Sequence, residues 1–507
     1  MFWRIIGFII GLFRINNNRQ SIRRRLQAAE NQNAINKRVA TYHSTPVESF
    51  ISERGNENVI ASGGNNIIRN RIACQMARNT NRQGKTVVVL HCGNVALENA
   101  FNNAFGSNAN YHCINSSNPI YDPFVALNKY EISQLVIDSS GTQNKVNPNG
   151  GKYIDALSEY LIARGQRPLA RRYIECPHDQ ILNRISQAAS NGLISQSVAQ
   201  SIIAQVQTGV AEQGGVEQFF KKLNQQAGQI LASPSNASQA ISVNENAKNN
   251  GVLVIDIVSA TNRLLINIIT EELNAVMAKG QPVTLILDSI PIDSSESLKD
   301  MINKFSGNNN FVISTNDLYS DMHASDTELD AILGKASTSF IMRHSSAETN
   351  KKFSDRSGHY RKIELTTVEG IVINFNNLTA LCPSDGSVLQ TVTQYVDRPC
   401  IEESEINDMN SDDVYIMTAT SREIIFVTTT PVVNSNTAPP PPVRRRNRRR
   451  VSGTGVNWLV FFILFFTMPP VALIYSFIVS NTRGKIISAI VLALFIAYII
   501  AAIQMSI

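Results

Sequence analysis

Residues 59–68 read Val59-Ile60-Ala61-Ser62-Gly63-Gly64-Asn65-Asn66-Ile67-Ile68, and residues 84–90 read Gly84-Lys85-Thr86-Val87-Val88-Val89-Leu90. The first stretch is a short apolar run closed by a glycine turn. Ile67, Ile68, Ile72 and Met76 then recur on one face at helical spacing, and the second stretch is an unbroken β-branched run. Strand, glycine turn, helix and strand in about 35 residues describe a βαβ unit, which requires a parallel sheet. Downstream, Val252-Leu253-Val254-Ile255-Asp256-Ile257 and Val283-Thr284-Leu285-Ile286-Leu287-Asp288 are two more apolar strands, with a helix over 260–278 between them. Phe311-Val312-Ile313-Ser314-Thr315 and residues 339–342 complete a doubly wound sheet of at least five strands.

From 178 to 244 the pattern changes. Ile181, Ile185 and Ala188, then Val198, Ile202 and Val206, recur at helical spacing among Gln, Asn and Ser. This predicts an all-helical domain inserted into the α/β core, which is assigned to 41–177 and 245–430. A linker over 431–457 contains Pro439 to Pro442 and six arginines, Arg444, Arg445, Arg446, Arg448, Arg449 and Arg450. Two nearly uncharged runs, 458–479 and 486–505, follow around a short polar turn. At 1.5 Å per residue each is about 30 Å long, so they predict a transmembrane hairpin. The arginines before the first span outnumber Arg483 and Lys485 in the turn, which places the large domain in the cytoplasm and the chain in the cell membrane. Residues 1–25 begin with Met-Phe-Trp-Arg-Ile-Ile-Gly-Phe and continue through Arg14, Arg19, Arg23, Arg24 and Arg25, a hydrophobic and basic segment expected to lie at the membrane interface.

Composition excludes several classes. The chain has 507 residues, 43% hydrophobic and 17% charged, with 46 Lys+Arg against 40 Asp+Glu. The net charge of +6 equals the linker's arginine cluster, so the rest is near neutral and no protein that coats nucleic acid is indicated. The 6 cysteines are far apart in sequence, without zinc or disulfide-scaffold spacing. No H-E-x-x-H or G-x-S-x-G motif occurs.

The glycine turn is the candidate phosphate-binding site. Its residues Ser62, Gly63, Gly64, Asn65 and Asn66 occupy the register of G-x-x-x-x-G-K-[ST], in which backbone N–H groups cradle phosphate, Lys reaches the outer phosphates and a hydroxyl holds magnesium. The Lys position is Ile67 and the hydroxyl position is Ile68. Asp288 ends an apolar strand as a magnesium-positioning Asp would, but Ser289 replaces the Glu that orients water. Arg69 is near in sequence, yet one or two residues along a helix turn it about 100° to 200° from the required direction.

The succession of segments over 56–427 resembles the conjugative type IV coupling proteins (TraG/TraD-like), DNA-translocating motors related to the FtsK/HerA P-loop ATPases. Tyr121-Asp122-Pro123-Phe124, Leu285-Ile286-Leu287-Asp288, the strand ending in Thr315-Asn316, Arg343-His344, and Arg398-Pro399-Cys400-Ile401-Glu402-Glu403-Ser404-Glu405-Ile406 carry the resemblance. It implies a RecA-like core, with Asn316 at the sensor position. It further implies ATP and magnesium as cofactors if the degenerate site still binds, and partners among secretion-channel components, an active coupling ATPase or further copies of the chain, with DNA involved indirectly. Three readings stay open: a pseudo-ATPase scaffold, a working ATPase in which Arg69 or Lys85 replaces the missing lysine, and a structural membrane protein that recruits partners.

Overall fold

The computed structural model describes residues 2–51, 57–141, 145–368, 390–419 and 423–428. These fall into two compact units. The smaller holds residues 2–34 and described parts of 361–396. It contains most of a helix, Phe2–Lys37, and most of a two-stranded sheet of β9 (His359–Val368) and β10 (Gln390–Pro399). Asn33 fastens helix to strand by donating to the Ile363 carbonyl at 2.9 Å and accepting from the Ile363 N–H at 2.7 Å. The expected short interfacial segment is therefore the first part of one continuous 36-residue helix. Among the described residues, no helix is long and apolar enough to cross a membrane. The 431–457 linker and the two apolar runs lie outside the described residues.

The larger unit is built on a ten-stranded sheet. Its strands are β1 (Val39–His43), β2 (Val59–Ser62), β3 (Thr86–His91), β4 (Tyr111–Ile114), β5 (Val252–Asp256), β6 (Val283–Asp288), β7 (Asn310–Thr315), β8 (Thr338–Ile341), β11 (Val414–Thr418) and β12 (Ile424–Thr428). Their order is β1-β12-β11-β8-β2-β7-β6-β3-β5-β4. All pairings are parallel except the two made by β11, which alone runs against its neighbours. β2 and β3 do belong to one strand–helix–strand unit, but they are not neighbours. β7 and β6 come between them.

The apolar runs become central strands because both faces of the sheet are covered. Val88 and Leu90 of β3 and Ile60 of β2 enter the core on one face. Val87, Val89, Val59 and Ala61 enter the core on the other. The helix Asn66–Arg82 contributes Ile68, Ile72 and Met76 to that second core, beside Leu97 and Phe101 of the helix Val95–Phe105.

Residues 178–227 and 243–248 are mostly helical, with helices at Ile181–Ser190, Gln196–Gly209, Gln213–Ala227 and Val243–Lys248, and 228–242 runs as turns bridged to Tyr121 at Leu231 and Ile241. The helix Pro148–Ala163 packs directly on Gln196–Gly209. A Cβ at Gly209 would stand 2.7 Å from the Tyr153 Cβ, so this crossing needs a residue without one. Tyr121-Asp122 ties the helical layer to the sheet through buried acids. Asp122 accepts from the Phe124 and Ala170 N–H groups at 2.9 and 2.8 Å. Glu272 accepts from the Tyr121 hydroxyl at 2.6 Å and from the Val243 N–H at 3.0 Å.

Candidate functional site

The carboxyl ends of β2, β7, β6 and β3 meet at one edge of the sheet, where an open α/β sheet places its ligands. Asp288 and the loop after β2 face each other there across β7. A nucleotide site would have the loop's N–H groups free and the Asp288 carboxylate open to magnesium through water.

Neither condition is met. The Gly63 N–H donates to the Thr315 carbonyl at 3.0 Å, and the Gly64 N–H donates to the Arg343 carbonyl at 3.2 Å. Asn65 closes the helix end itself, its Oδ1 accepting from the N–H groups of Ile67 and Ile68 at 3.1 and 3.3 Å. Its amide nitrogen donates to the Ser411 carbonyl at 3.0 Å and to Asp412 at 2.8 Å. Gly63 adopts φ +135°, and an added Cβ would lie 2.4 Å from the Met342 Cβ. The glycine is required by the close approach of Met342, whose own N–H donates to the Ser62 carbonyl at 2.8 Å. The Ser62 hydroxyl is buried without a hydrogen-bond partner.

Asp288 is equally engaged. Ser314 donates its hydroxyl to Asp288 Oδ1 at 2.5 Å, and Asn94 donates its amide to Oδ2 at 2.7 Å. Arg69 completes the cluster from beneath the loop. Its long side chain folds back under the loop, 2% exposed, with the guanidinium on the Gly63 carbonyl and Nε 3.3 Å from Ser314 Oγ. Burial lowers the Arg69 pKa, opposed by the charges of Asp288 and Asp321. Arg69 therefore lies among the carboxylates as a fixed internal cation. Lys85 is excluded from the site by position. It begins at the opposite edge of the sheet, where its buried amine donates to Asn310 Oδ1 at 2.9 Å, and burial lowers its pKa to about 8.

Ile67 is 58% exposed at the position of the missing lysine, while Ile68 is buried in the core. Ser289 turns the chain in the left-handed region at φ +54°, its N–H on the Ser314 carbonyl at 2.7 Å. Asn316 is exposed. Its N–H donates to Asp321, and its side chain takes no part in the Asp288 cluster. Asn66 starts the helix without joining that cluster. Magnesium and a triphosphate do not fit the residues present: the N–H groups of Gly63, Gly64, Ile67 and Ile68 and both Asp288 oxygens are already paired within the chain.

Sequence reasoning missed Asn94 and Ser314. Cys92-Gly93-Asn94 after β3 repeats the strand–Gly–Asn arrangement of Gly64-Asn65, and that echo was a readable signal. Asn94 is also a helix cap, accepting from the Leu97 N–H at 3.0 Å. Nearby, His91, Glu98 and Asp256 form the one potential metal cluster among the described residues. His91 Nδ1 accepts from the Asn94 N–H at 3.2 Å, so the ring proton is on Nε2, the atom 3.5 Å from Glu98. A metal on Nε2 needs the reverse tautomer and one on Nδ1 would displace the Asn94 N–H, and burial, which lowers the His91 pKa, favours a packed neutral imidazole.

No protein-family model and no curated protein matches the chain. Similar solved structures include the plasmid coupling protein TrwB in complex with a non-hydrolysable GTP analogue, with TM-score 0.45 and 12% identity over 79% of this chain and 91% of that one. The unbound bacterial conjugative coupling protein TrwBdeltaN70 gives TM-score 0.43 at 12% identity, over 75% and 87%. VirB4 of Thermoanaerobacter pseudethanolicus gives 0.33 at 11% identity, over 59% and 80%. Likenesses this distant assign no activity to the chain.

Proposed function

We propose that this chain is a membrane-anchored, coupling-protein-like subunit of a conjugative DNA-transfer or type IV secretion system, a pseudo-ATPase scaffold or partner of an active motor. One observation carries the reading. The frame of a nucleotide site is retained, but the Gly63 and Gly64 N–H groups and both Asp288 carboxylate oxygens are bonded inside the protein. The strand order, with β7 between the glycine-loop strand and the strand ending in Asp288, supports a RecA-like core. The motifs quoted from 121–124, 285–288 and 398–406 support the family placement.

In this reading the 458–479 and 486–505 runs anchor the chain in the cell membrane, with the large domain cytoplasmic. Its partners are secretion-channel components and either an intact coupling ATPase or further copies of itself, and DNA is engaged indirectly. The test is phosphate release by the full chain in detergent, with Mg-ATP and with or without DNA. Turnover at background is expected. Turnover that disappears in Asp288→Asn would overturn the pseudo-ATPase assignment.

A further inference from the structure

The helical layer contains a cavity of about 300 Å³ that the nucleotide-site frame does not use. Its floor is apolar. Leu157, Leu161 and Ile181 line it and are buried. Its charged lining is one-sided, with Arg164, Arg172 and Arg184 against the single carboxylate of Glu175. None of these arginines forms an ion pair among the described residues. Other arginines in the same stretch behave differently. Arg167 donates to the Ala237 carbonyl at 2.8 Å, and Arg171 donates to the Gly228 carbonyl at 2.8 Å. Arg172 instead has its Nε buried with no hydrogen-bond partner. Arg164 is held over the Tyr160 ring, 5.5 Å from the centroid, with one guanidinium nitrogen 3.3 Å from the Tyr160 hydroxyl.

Three like charges stand around one cavity, with Arg164 and Arg184 at its exposed rim where solvent screens much of their repulsion, and the buried Arg172 donor without an acceptor is unfavourable. An anionic oxygen group in the cavity relieves both. Guanidinium forks match carboxylate and phosphate oxygens, and the apolar floor suits a hydrocarbon or aromatic body behind them. The volume is at the lower end of the roughly 300–1,000 Å³ typical of small-molecule sites. We infer that the cavity between Leu157 and Arg184 binds a small amphipathic anion, a carboxylate or phosphate monoester on an apolar body, with Arg172 and Arg184 on its oxygens.

Cys176 also lines the cavity. It is a free, half-buried thiol whose pKa burial raises to about 12. It provides a readout in the unsubstituted chain. The full chain in detergent is titrated calorimetrically with 1-naphthyl phosphate, 2-naphthoate, 2-naphthol and inorganic phosphate. Alkylation of Cys176 is followed in parallel by mass spectrometry. At least one naphthyl anion is expected to bind and to slow Cys176 alkylation fivefold or more, with 2-naphthol and inorganic phosphate at least tenfold weaker. Which anion is tighter identifies the phosphate or the carboxylate source. Arg172→Met with Arg184→Met keeps the apolar stems and is expected to weaken the anion at least tenfold. Neutral 2-naphthol binding as tightly as the anions, or Cys176 left unprotected at saturation, would overturn the inference. So would unchanged affinity in a folded double variant, and if that variant does not fold, the protection measured in the unsubstituted chain decides.

Discussion

Rebuilding the missing side chains should not rebuild the nucleotide site. Ile67→Lys with Ile68→Thr restores the Lys and hydroxyl positions of G-x-x-x-x-G-K-[ST], while Ala61 and Asn66 still stand at its two glycine positions. Ile67 is exposed and tolerates lysine, but the phosphates still meet a loop whose Gly63 and Gly64 donors are taken. Turning the Gly63 and Gly64 N–H groups to phosphate leaves the Thr315 and Arg343 carbonyls, accepting at 3.0 and 3.2 Å, without their partners. Each such loss costs about 1–3 kcal/mol. Opening Asp288 to magnesium also breaks its bonds from Ser314 and Asn94, at about 1.5–3 kcal/mol each for bonds to a charged group. The sum is about 5–12 kcal/mol. At about 1.4 kcal/mol per tenfold, a micromolar site would move to the millimolar range or weaker. Titration of a fluorescent ATP analogue into the full-length double variant, with and without magnesium, measures this. Saturable magnesium-dependent binding below about 10 μM would show that side-chain identity alone had disabled the site, and would refute the argument from the loop's hydrogen bonds.

Gly63→Ala should cost about 3 kcal/mol or more in a urea titration, because it combines φ +135° with a Cβ 2.4 Å from the Met342 Cβ. Gly64→Ala, whose nearest atom would be 3.9 Å away, should be far milder, and equal effects would contradict the packing role. Burial raises the Asp122 pKa to about 7 and the Glu272 pKa to about 8, well above the values of about 4 expected in the unfolded chain. Their contribution is therefore fully present below about pH 4 and is lost as pH rises through the folded values. The urea midpoint should fall between pH 5 and pH 8.5, and Glu272→Gln should flatten the decline, so an unaltered slope would remove Glu272 as its source. An epitope at Thr437 should be protected from external protease in intact cells, and one at Asn481 should be cleaved. The reverse pattern would refute the proposed orientation of the hairpin.

The central sheet was legible because its strands are buried on both faces, so β2, β3, β5, β6, β7 and β8 all appear as compact apolar runs. β4 and β1 were not. They are the two edges of the sheet, with mostly half-exposed or exposed residues, and Tyr111-His112-Cys113-Ile114 carries no strong apolar signal. β11 and β12 have readable β-branched sequences, but no pattern in them announces that β11 runs against every neighbour. At the site, the loss of Lys, hydroxyl and Glu at Ile67, Ile68 and Ser289 was plain. The groups that occupy the loop and Asp288 were hidden, because Ser314 and Thr315 end β7 and Arg343 follows β8, about 250–280 positions from the loop. Local spacing also could not show where the Arg69 side chain ends. A helical wheel gives the direction of a Cβ, whereas four further bonds let this guanidinium return beneath Gly63.

Retained glycines are weak evidence of retained nucleotide binding in such a frame. A phosphate loop needs glycine so that its backbone can approach the ligand, and here the same freedom lets the backbone approach Met342. Once internal carbonyls satisfy the Gly63 and Gly64 N–H groups, glycine at 63 is held by packing, and alanine there is costly with no ligand involved. Asp288 follows the same logic, since Ser314, Asn94 and the nearby Arg69 charge account for its burial without a metal. A site closed in this way is thus stabilised in its own right. Its motif residues report the geometry of the sheet's carboxyl edge, and the chemistry has to be judged from which donors and carboxylates remain free.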